Sequence, residues 1–389
     1  MATDFLHGVE VLEIDAGPRP IQVARSSVIG LIGTAPDADA NTFPYNTATL
    51  ISGSRQMAGK LDTTGNGLGT LPSAMDGIFD QTGAVVVVVR VQEGADDAAT
   101  QANVVGGTDG NGEHSGLKVF LEAQSELGFT PRLLCAPGFS HQDAVAAEME
   151  VVANRLRGMA ILDGPNSTDA AAIARVDSHG SRCYLVDPWV KVFDTVAAAE
   201  KVEPASAHVC GLIARTDNEL GFWHSPSNKA IYGIIGLGRP IDFVLGDKSA
   251  RANLLNGKHV TTIIRHDGFR LWGNRNCNTS DTKWMYLSVR RTADIINDSI
   301  LAAHLWAVDK NNGSAYLEAV TEGVNAFMRS LEAQGALIGG HCYADPDLNS
   351  PASIQLGQAW FNFEFTPPFP AERVIFRSHL VNDYLEEIA

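Results

Sequence analysis

The stretch Ala84-Val-Val-Val-Val-Val-Arg-Val91 decides the fold class, because it is a nearly continuous run of β-branched residues. Such a run is typical of a central parallel strand that is covered on both faces. Further apolar segments lie on either side of it, and alanine-rich stretches at about 141–157 and 168–178 predict helices between them. Strands that alternate with helices indicate βαβ units and a parallel sheet. The other strands are predicted at 27–33, 132–136, 159–162 and 182–186.

The C-terminal half has a different pattern. A helix is predicted at 292–307, and apolar residues alternate with polar ones at 358–365. A second helix is predicted from Ser314, as its N-cap, to Gln334, with Gly335 as the stop. Helices and strands that do not alternate regularly favour an α+β arrangement for this half.

The bulk composition limits the classes of function. The 389 residues exceed the usual size of a single core, so we expect two domains. The net charge of −16 argues against a protein that binds the phosphate backbone of nucleic acids. The five cysteines are scattered, which fits buried thiols in a reducing compartment better than disulfides or a zinc site. The chain lacks a secretory signal pattern and any apolar run long enough to span a membrane.

Both chain ends carry strand-like segments that prolines separate from the body. Residues 1–24 include an alternating segment that ends at Pro18 and Pro20, and residues 371–389 follow Pro370. Each segment either folds back as an edge strand of its own subunit or adds a strand to a neighbour. An arm of about 20 residues reaches about 65 Å. A compact chain of this length is roughly 55 Å across, so the second arrangement is within reach.

Several segments closely resemble contractile tail sheath proteins, as found in contractile-tailed phages and R-type pyocins. The resemblance extends over nearly the whole chain and is strongest from 205 to 307. The segments that carry it include Arg25-Ser-Ser-Val-Ile-Gly-Leu-Ile-Gly-Thr-Ala-Pro36, Gly268-Phe-Arg-Leu-Trp272-Gly-Asn-Arg275 and Lys283-Trp-Met-Tyr-Leu-Ser-Val-Arg-Arg291.

This resemblance implies a multi-domain sheath-protein fold, α/β with an α+β C-terminal half, a parallel or mixed sheet and extended terminal arms. The implied divisions are an N-terminal arm at 1–24, an α/β region at 25–200, a C-terminal sheath domain at 201–370 and a C-terminal arm at 371–389. Within the α/β region, residues 93–116 are rich in Gly, Asp and Asn and are expected to form an exposed loop.

The resemblance also implies a structural polymer rather than an enzyme. Such a subunit forms stacked hexameric rings around a tail tube and contracts to drive the tube through a cell envelope. The implied partners are further copies of the chain, the tail tube protein, and baseplate and tail terminator proteins, with no cofactor, metal, nucleic acid or membrane. The implied location is a virion tail that is assembled in the bacterial cytoplasm and released by lysis.

The residues to which these roles transfer fall into three groups. The arms would pair with neighbouring sheets, and the predicted helix from Ser314 would face the tube with its polar side. The N-terminal arm residues are Phe5, Val9, Val11 and Ile14. The C-terminal arm residues are Val374, Ile375, Phe376 and Val381. The candidate tube-facing residues are Glu318, Glu322, Asn325 and Arg329. An ordinary amphipathic surface helix remains the alternative for the last group.

Three motifs suggest chemistry but are better explained without it. Gly65-Asn-Gly-Leu-Gly69 lacks the Lys-Ser/Thr ending of a phosphate loop, and Asp345-Pro-Asp-Leu-Asn349 lacks the Gly and Glu of a calcium loop. His179-Gly-Ser181 has no partner segments of a serine protease triad. We interpret the first two as turns.

Two rival functions remain open at this stage. A group of arginines interleaved with Trp272 and Trp284 could stack on nucleic acid, but the acidic chain favours structural contacts with carboxylates and rings. The parallel-sheet pattern also suits a cytosolic α/β enzyme of unknown substrate. That enzyme would have a deep polar pocket near Pro137, Asp163 or Asp187, at the strand ends.

Overall fold

The computed structural model describes residues 21–311 and 313–382. The N-terminal arm positions Phe5, Val9, Val11 and Ile14 lie outside the described residues. Within them, the chain forms two compact units, which we call the larger unit (27–290 with 369–382) and the smaller unit (21–26 with 291–368). The domain divisions drawn from the sequence remain predictions.

The secondary structure of the described residues is mixed α/β throughout. The strands are β1 (Ile29–Thr34), β2 (Ala48–Ser52), β3 (Val85–Val91), β4 (Leu133–Cys135), β5 (Met159–Asp163), β6 (Cys183–Val186), β7 (Val190–Asp194), β8 (Ala199–Glu203), β9 (Gly236–Leu237), β10 (Thr262–Arg265), β11 (Phe269–Trp272), β12 (Gly339–Ala344) and β13 (Phe361–Thr366). The helices are α1 (Arg55–Ala58), α2 (Leu71–Phe79), α3 (Asp97–Val105), α4 (Ala123–Leu127), α5 (Asp143–Leu156), α6 (Asp169–Val176), α7 (Ser206–Leu220), α8 (Arg251–Gly257), α9 (Leu287–Ala303), α10 (Ser314–Ala333) and α11 (Pro351–Gln355).

The larger unit is built on a six-stranded sheet in the order β2-β3-β1-β4-β5-β6. Strands β3, β1, β4, β5 and β6 run parallel, and only β2 pairs antiparallel, at the edge. The sheet contains all five strands that the sequence predicts. The mixed α/β class and the central, doubly covered position of residues 84–91 are confirmed.

Two apolar cores cover the two faces of this sheet. Alternate valines of β3 divide between them, with Val86 and Val88 in one core and Val87 and Val89 in the other. Helices α2 and α7 line the first core, while α5 and the 3₁₀ turn at 116–121 line the second. Burying each valine side chain contributes about 1.5–3 kcal/mol to the free energy of folding, so this run alone strongly favours the central position.

Helix α10 organises the smaller unit by packing against the two-stranded sheet of β12 and β13. Its buried apolar residues recur at 3–4 residue spacing; they are Val320, Val324, Phe327, Met328 and Leu331. The helix begins one residue earlier than expected: Gly313 is the N-cap, and Ser314, predicted as the N-cap, is the first helical residue.

Some elements differ from the sequence-based expectations. Residues 93–116 contain helix α3 rather than a continuous loop, because the Asp96 side chain caps its first turn and Val104 is buried in the core. Helix α9 begins at Leu287, five residues before the expected start at 292. The antiparallel sheets β8-β7-β9 and β10-β11 were not predicted.

Candidate intersubunit surfaces

The C-terminal arm leaves the larger unit at a fixed point. The Arg275 guanidinium forms a two-pronged ion pair with the Glu372 carboxylate, with Nε 2.7 Å from Oε1. The Tyr286 ring contacts the Phe369 ring edge-on at a centroid distance of 6.1 Å. Residues 369–372 are therefore held on the body, and the chain beyond them has no such attachment among the described residues.

Beyond this anchor the described residues of the arm are irregular and exposed. Residues 371–381 form neither helix nor strand within their own chain. The side chain of Phe376 is 91% exposed and that of Leu380 is 99% exposed. The other predicted arm residues, Val374, Ile375 and Val381, are also exposed. The strand-like sequence is present, but it has no partner strand in the described part of this chain.

The N-terminal segment has a corresponding anchor in the smaller unit. The backbone N–H of Ala24 donates to Oγ of Ser299 on α9 at 2.9 Å. The carbonyl of Ser26 accepts a hydrogen bond from the Arg291 guanidinium at 3.2 Å. These contacts fix the root of the segment that the sequence identifies as the N-terminal arm.

The β12–β13 sheet has one closed edge and one open edge. The outward backbone groups of Cys342 on β12 bond to the Asn325 amide, at 2.7 Å for its N–H and 2.9 Å for its carbonyl. The Gly340 N–H likewise donates to Glu332 of α10 at 2.8 Å. On β13, the outward groups of the three alternating phenylalanines have no hydrogen-bond partner among the described residues; these are Phe361, Phe363 and Phe365.

The polar face of α10 divides in two. Glu318, Glu322 and Arg329 are exposed, and Glu322 pairs with Arg329 at 2.5 Å. Asn325 is turned toward β12 and occupied by its two bonds to Cys342. An exposed ion pair of this kind contributes at most about 1 kcal/mol to folding, so it leaves both charges available to a partner.

The strand ends where an enzyme pocket was considered are filled. The Asp163 carboxylate is fully buried and accepts hydrogen bonds from the Ser206 N–H at 2.8 Å and from the Ser206 and Ser140 hydroxyls at 2.7 Å. Burial raises the pKa of Asp163 to about 6. Asp187, also buried, binds Arg239 and accepts from the Asn166 N–H. These carboxylates join parts of the fold and do not line an open pocket.

The two loops considered as phosphate and calcium sites, at 65–69 and 345–349, form hydrogen bonds within the chain. The Asp62 carboxylate accepts the backbone N–H groups of Gly65, Asn66 and Gly67, which a phosphate would need. In the second loop, Asp345 accepts hydrogen bonds from the backbone N–H groups of Asp347 and Leu348 and from the Asn362 side chain on β13. The polar groups of both stretches therefore have partners within the chain, which agrees with their interpretation as turns.

The arginines of the 265–291 region also make structural contacts. Besides the Arg275 pair, the Arg290 guanidinium lies over the Trp284 ring at 4.8 Å and Arg265 lies over Phe269 at 5.6 Å. Within the described residues, no helix is both long and apolar enough to cross a membrane.

Comparison with known proteins decides the family. Residues 86–277 match the phage tail sheath protein central domain, and residues 279–380 match the phage tail sheath C-terminal domain. The chain belongs to the phage tail sheath family. It is 45% identical to a putative prophage major tail sheath protein of Pseudomonas aeruginosa, over 99% of this chain and 98% of that protein. It is 32% identical to the tail sheath protein of Escherichia phage P2, with the same coverage.

Solved sheath structures share the fold. The helical sheath of the anti-feeding prophage in its contracted state matches with a TM-score of 0.72 at 18% identity, covering 97% of this chain and 99% of that one. The contracted PVC sheath complex of an extracellular contractile injection system matches with a TM-score of 0.70 at 20% identity, covering 98% and 99%. The sheath resemblance is thereby confirmed, and the chain is a structural subunit of a contractile sheath.

The structure adds contacts that the sequence did not assign. Arg275 stands in a segment that carries the family resemblance, but its partner Glu372 lies 97 residues away in the chain. Asn325 was placed on a polar helix face, and only the β12 position reveals its backbone contacts. The alternating phenylalanines at 361–365 were the one sequence signal that indicated the β13 strand.

Proposed function

We propose that the subunit polymerises by lending its two terminal arms to neighbouring subunits. The result would be stacked hexameric rings, arranged helically around an inner tail tube. The observation that carries this proposal is the C-terminal arm, which is anchored at Glu372 and then presents exposed apolar residues without a partner strand. An unpaired, apolar, strand-like segment is stabilised by joining a sheet edge.

The open edge of β13 is the acceptor that we propose for an arm. This sheet has only two strands, so its unpaired β13 edge can accept a further strand. The β12 edge is already occupied by Asn325 and Glu332, which leaves the row of outward groups on β13 for an incoming backbone. Pairing at β13 would use backbone hydrogen bonds for strength and alternating side chains for register.

The arm is long enough for this exchange. Residues 373–389 span up to about 56 Å when extended. That length is comparable with the diameter of a compact subunit, roughly 55 Å. A contact between an arm and a different surface of the next subunit is heterologous, so it propagates as rings or helices instead of closing into a dimer. The N-terminal arm, through Phe5, Val9, Val11 and Ile14, would add a second link.

The exposed part of α10 is the proposed tube-facing surface. Glu318 and Glu322 offer carboxylates, and Arg329 offers a cation beside Glu322. Asn325 would support this face indirectly by holding β12. Contraction would then move whole subunits while the arms keep the mesh joined. Baseplate and terminator proteins would bind the two ends, and the particle would assemble in the bacterial cytoplasm and leave by lysis.

Disulfide trapping tests the exchange directly. All five native cysteines are buried, so new surface cysteines react selectively. Glu364→Cys on β13 is combined, in separate chains, with Arg377→Cys or Ser378→Cys. Two adjacent arm positions are needed because alternate residues of a strand face opposite sides. Oxidation of the mixed assembly should join the two kinds of chain.

The control replaces Glu364→Cys by Glu93→Cys, an exposed position on the larger unit. That mixture should remain uncoupled under the same oxidation. Equal coupling in the control, or no coupling at either arm position in formed tubes, would exclude β13 as the acceptor.

A further inference from the structure

Three side chains that can each bind a metal ion meet inside the larger unit. Glu150 lies on α5, His179 lies in the turn after α6, and Cys183 begins β6. Their ligand atoms all lie within 4.8 Å of one another. The closest measured pair is Nδ1 of His179 and Oε2 of Glu150, 3.4 Å apart. That separation suits two donors that bind the same ion.

The polar neighbour of the His179 ring is the Glu150 carboxylate, whose Oε2 lies 3.4 Å from Nδ1. The His179 side chain is only 4% exposed, and its other ring nitrogen, Nε2, has no hydrogen-bond partner among the described residues. Leaving a buried polar group without a hydrogen bond costs about 1–3 kcal/mol. A neutral imidazole offers a lone pair to a metal, and metal binding would satisfy the nitrogen that faces Glu150.

The carboxylate is already oriented for this role. Oε1 of Glu150 accepts the backbone N–H of Gly180 at 3.0 Å, which leaves Oε2 directed toward His179. The Cys183 thiol also contacts the Glu150 carboxylate. Backbone contacts that orient a ligand are typical of metal sites in proteins.

We propose that Glu150, His179 and Cys183 bind one zinc ion. A thiolate, an imidazole and a carboxylate together match the preference of zinc, whereas calcium and magnesium prefer oxygen ligands alone. The two negative ligands balance the charge of the dication, so the site is neutral in a buried environment. Glu150, at 23% side-chain exposure, provides the route by which the ion and a solvent ligand reach the site.

A nucleophilic Cys–His–Glu site fits the same residues less well. Cys183 is fully buried, so a polypeptide or other large substrate cannot reach its sulfur. A zinc ion needs no such access. It would join α5, the turn before β6 and β6 itself, and would stabilise the larger unit independently of polymerisation.

This cluster was hard to recognise from the sequence alone. His179 and Cys183 are four residues apart, and Glu150 lies 29 residues before His179. Without the packing of α5 against a face of the sheet, this spacing does not distinguish ligands from scattered core residues. The expectation of no metal site followed from the scattered cysteines and from the family resemblance.

The test uses the full-length, untagged chain. The protein is stripped with a chelator, incubated with zinc, desalted and measured by elemental mass spectrometry. The expected result is one zinc per chain, and Co²⁺ in place of zinc should give a thiolate-to-cobalt charge-transfer band. Zinc should also raise the thermal unfolding midpoint of the wild-type chain.

Two ligand variants and one matched cysteine variant complete the test. Cys183→Ser and His179→Gln should lose the bound zinc, the cobalt band and the zinc-dependent rise in midpoint. Cys135→Ser, a buried cysteine on β4, should keep all three. Circular dichroism confirms that each variant is folded. A wild-type chain that retains no zinc after desalting, or folded ligand variants that retain it fully, would overturn the site and leave an internal Glu–His contact.

Discussion

Arg275 and Glu372 are joined by a two-pronged ion pair near the start of the C-terminal arm, although they lie 97 residues apart in the sequence. Both side chains are partly exposed, at 25% and 33%. The pair therefore holds the start of the arm on the surface of the larger unit. Solvent screening limits the free energy that it contributes to this attachment.

Breaking this ion pair should release the arm more often without unfolding the larger unit. Arg275→Ala removes about 1 kcal/mol of local attachment, which corresponds to roughly fivefold more frequent release. Trypsin cleavage of the unassembled chain at Arg373 and Arg377 should accelerate by about that factor. The charge-swapped double variant Arg275→Glu with Glu372→Arg should restore most of the protection, measured by cleavage after Arg377 because the substitution at 372 is itself a new trypsin site. Unchanged cleavage in Arg275→Ala would mean that other contacts hold the arm.

Asn325 of α10 closes the edge of β12, so we expect its removal to lower the stability of the fold. Its amide makes two hydrogen bonds to the Cys342 backbone, and their loss leaves partly buried groups unpaired. Asn325→Ala should lower the free energy of unfolding by about 1–3 kcal/mol, measured by urea denaturation.

Glu322→Ala on the same helix is the matched control for Asn325. It removes only an exposed ion pair and should cost less than about 1 kcal/mol. If both variants lost the same stability, the Asn325 contacts would have no special role in closing the edge.

We expect the exposed carboxylates of α10 to contribute to binding of the tube. Glu318→Lys with Glu322→Lys should weaken attachment of the sheath to its tube and leave contacts between sheath subunits intact, because only exposed charges change. Co-sedimentation of sheath with purified tube protein over a range of salt concentrations measures this. Glu93→Lys with Glu126→Lys makes the same change of charge at other exposed positions and should bind normally. Normal, salt-resistant attachment in the α10 variant would remove this helix from the tube interface.

Buried His208 predicts acid sensitivity of the larger unit. Its ring packs against Gly77 in α2, and burial lowers its pKa to about 4 from the usual 6.5. As the pH falls, the His208 imidazole is therefore protonated near pH 6.5 in the unfolded chain but only near pH 4 in the folded chain. Stability from this group is present above pH 6.5 and is lost as the pH falls toward 4, by on the order of 3 kcal/mol.

The measurement for His208 is a difference between variants. Asp163, whose pKa is raised to about 6, has the opposite dependence and loses stability as the pH rises from 3.8 to 6. Comparing wild type with His208→Gln cancels the Asp163 contribution. As the pH falls from 7 to 4.5, the free energy of unfolding of the wild type should decrease relative to that of His208→Gln. A gap that stays constant across this range would contradict the assignment.

The sequence predicted the central sheet well because burial leaves a strong pattern. The run at 84–91 can only be satisfied where both faces are covered, and each later strand of the sheet is an apolar segment bounded by helices. By contrast, β8 has the sequence Ala-Glu-Lys-Val-Glu and is largely exposed. It therefore has no apolar periodicity from which a strand could be predicted. Helix α3 was missed because Gly, Asp and Asn dominate its surroundings, while its own cap and one buried valine decide its structure.

The intersubunit surfaces were only partly predictable, for a related reason. The apolar alternation at 374–381 marks a strand, but a strand needs a partner, and the partner's edge is defined by tertiary contacts. Asn325 and Glu332 close one edge of the β12–β13 sheet through hydrogen bonds to backbone that no periodicity encodes. The open edge at β13 therefore emerged only from the folded chain.

The central claim is that the exposed C-terminal arm joins subunits. Electron microscopy of the full-length chain beside a chain ending at Glu372 tests it most directly, with Leu245→Ser, an exposed apolar position outside the arm, as the control. The full-length chain and the Leu245→Ser variant should form long hollow tubes, whereas the shortened chain should remain folded single subunits. Tubes of normal length from the shortened chain would contradict the account.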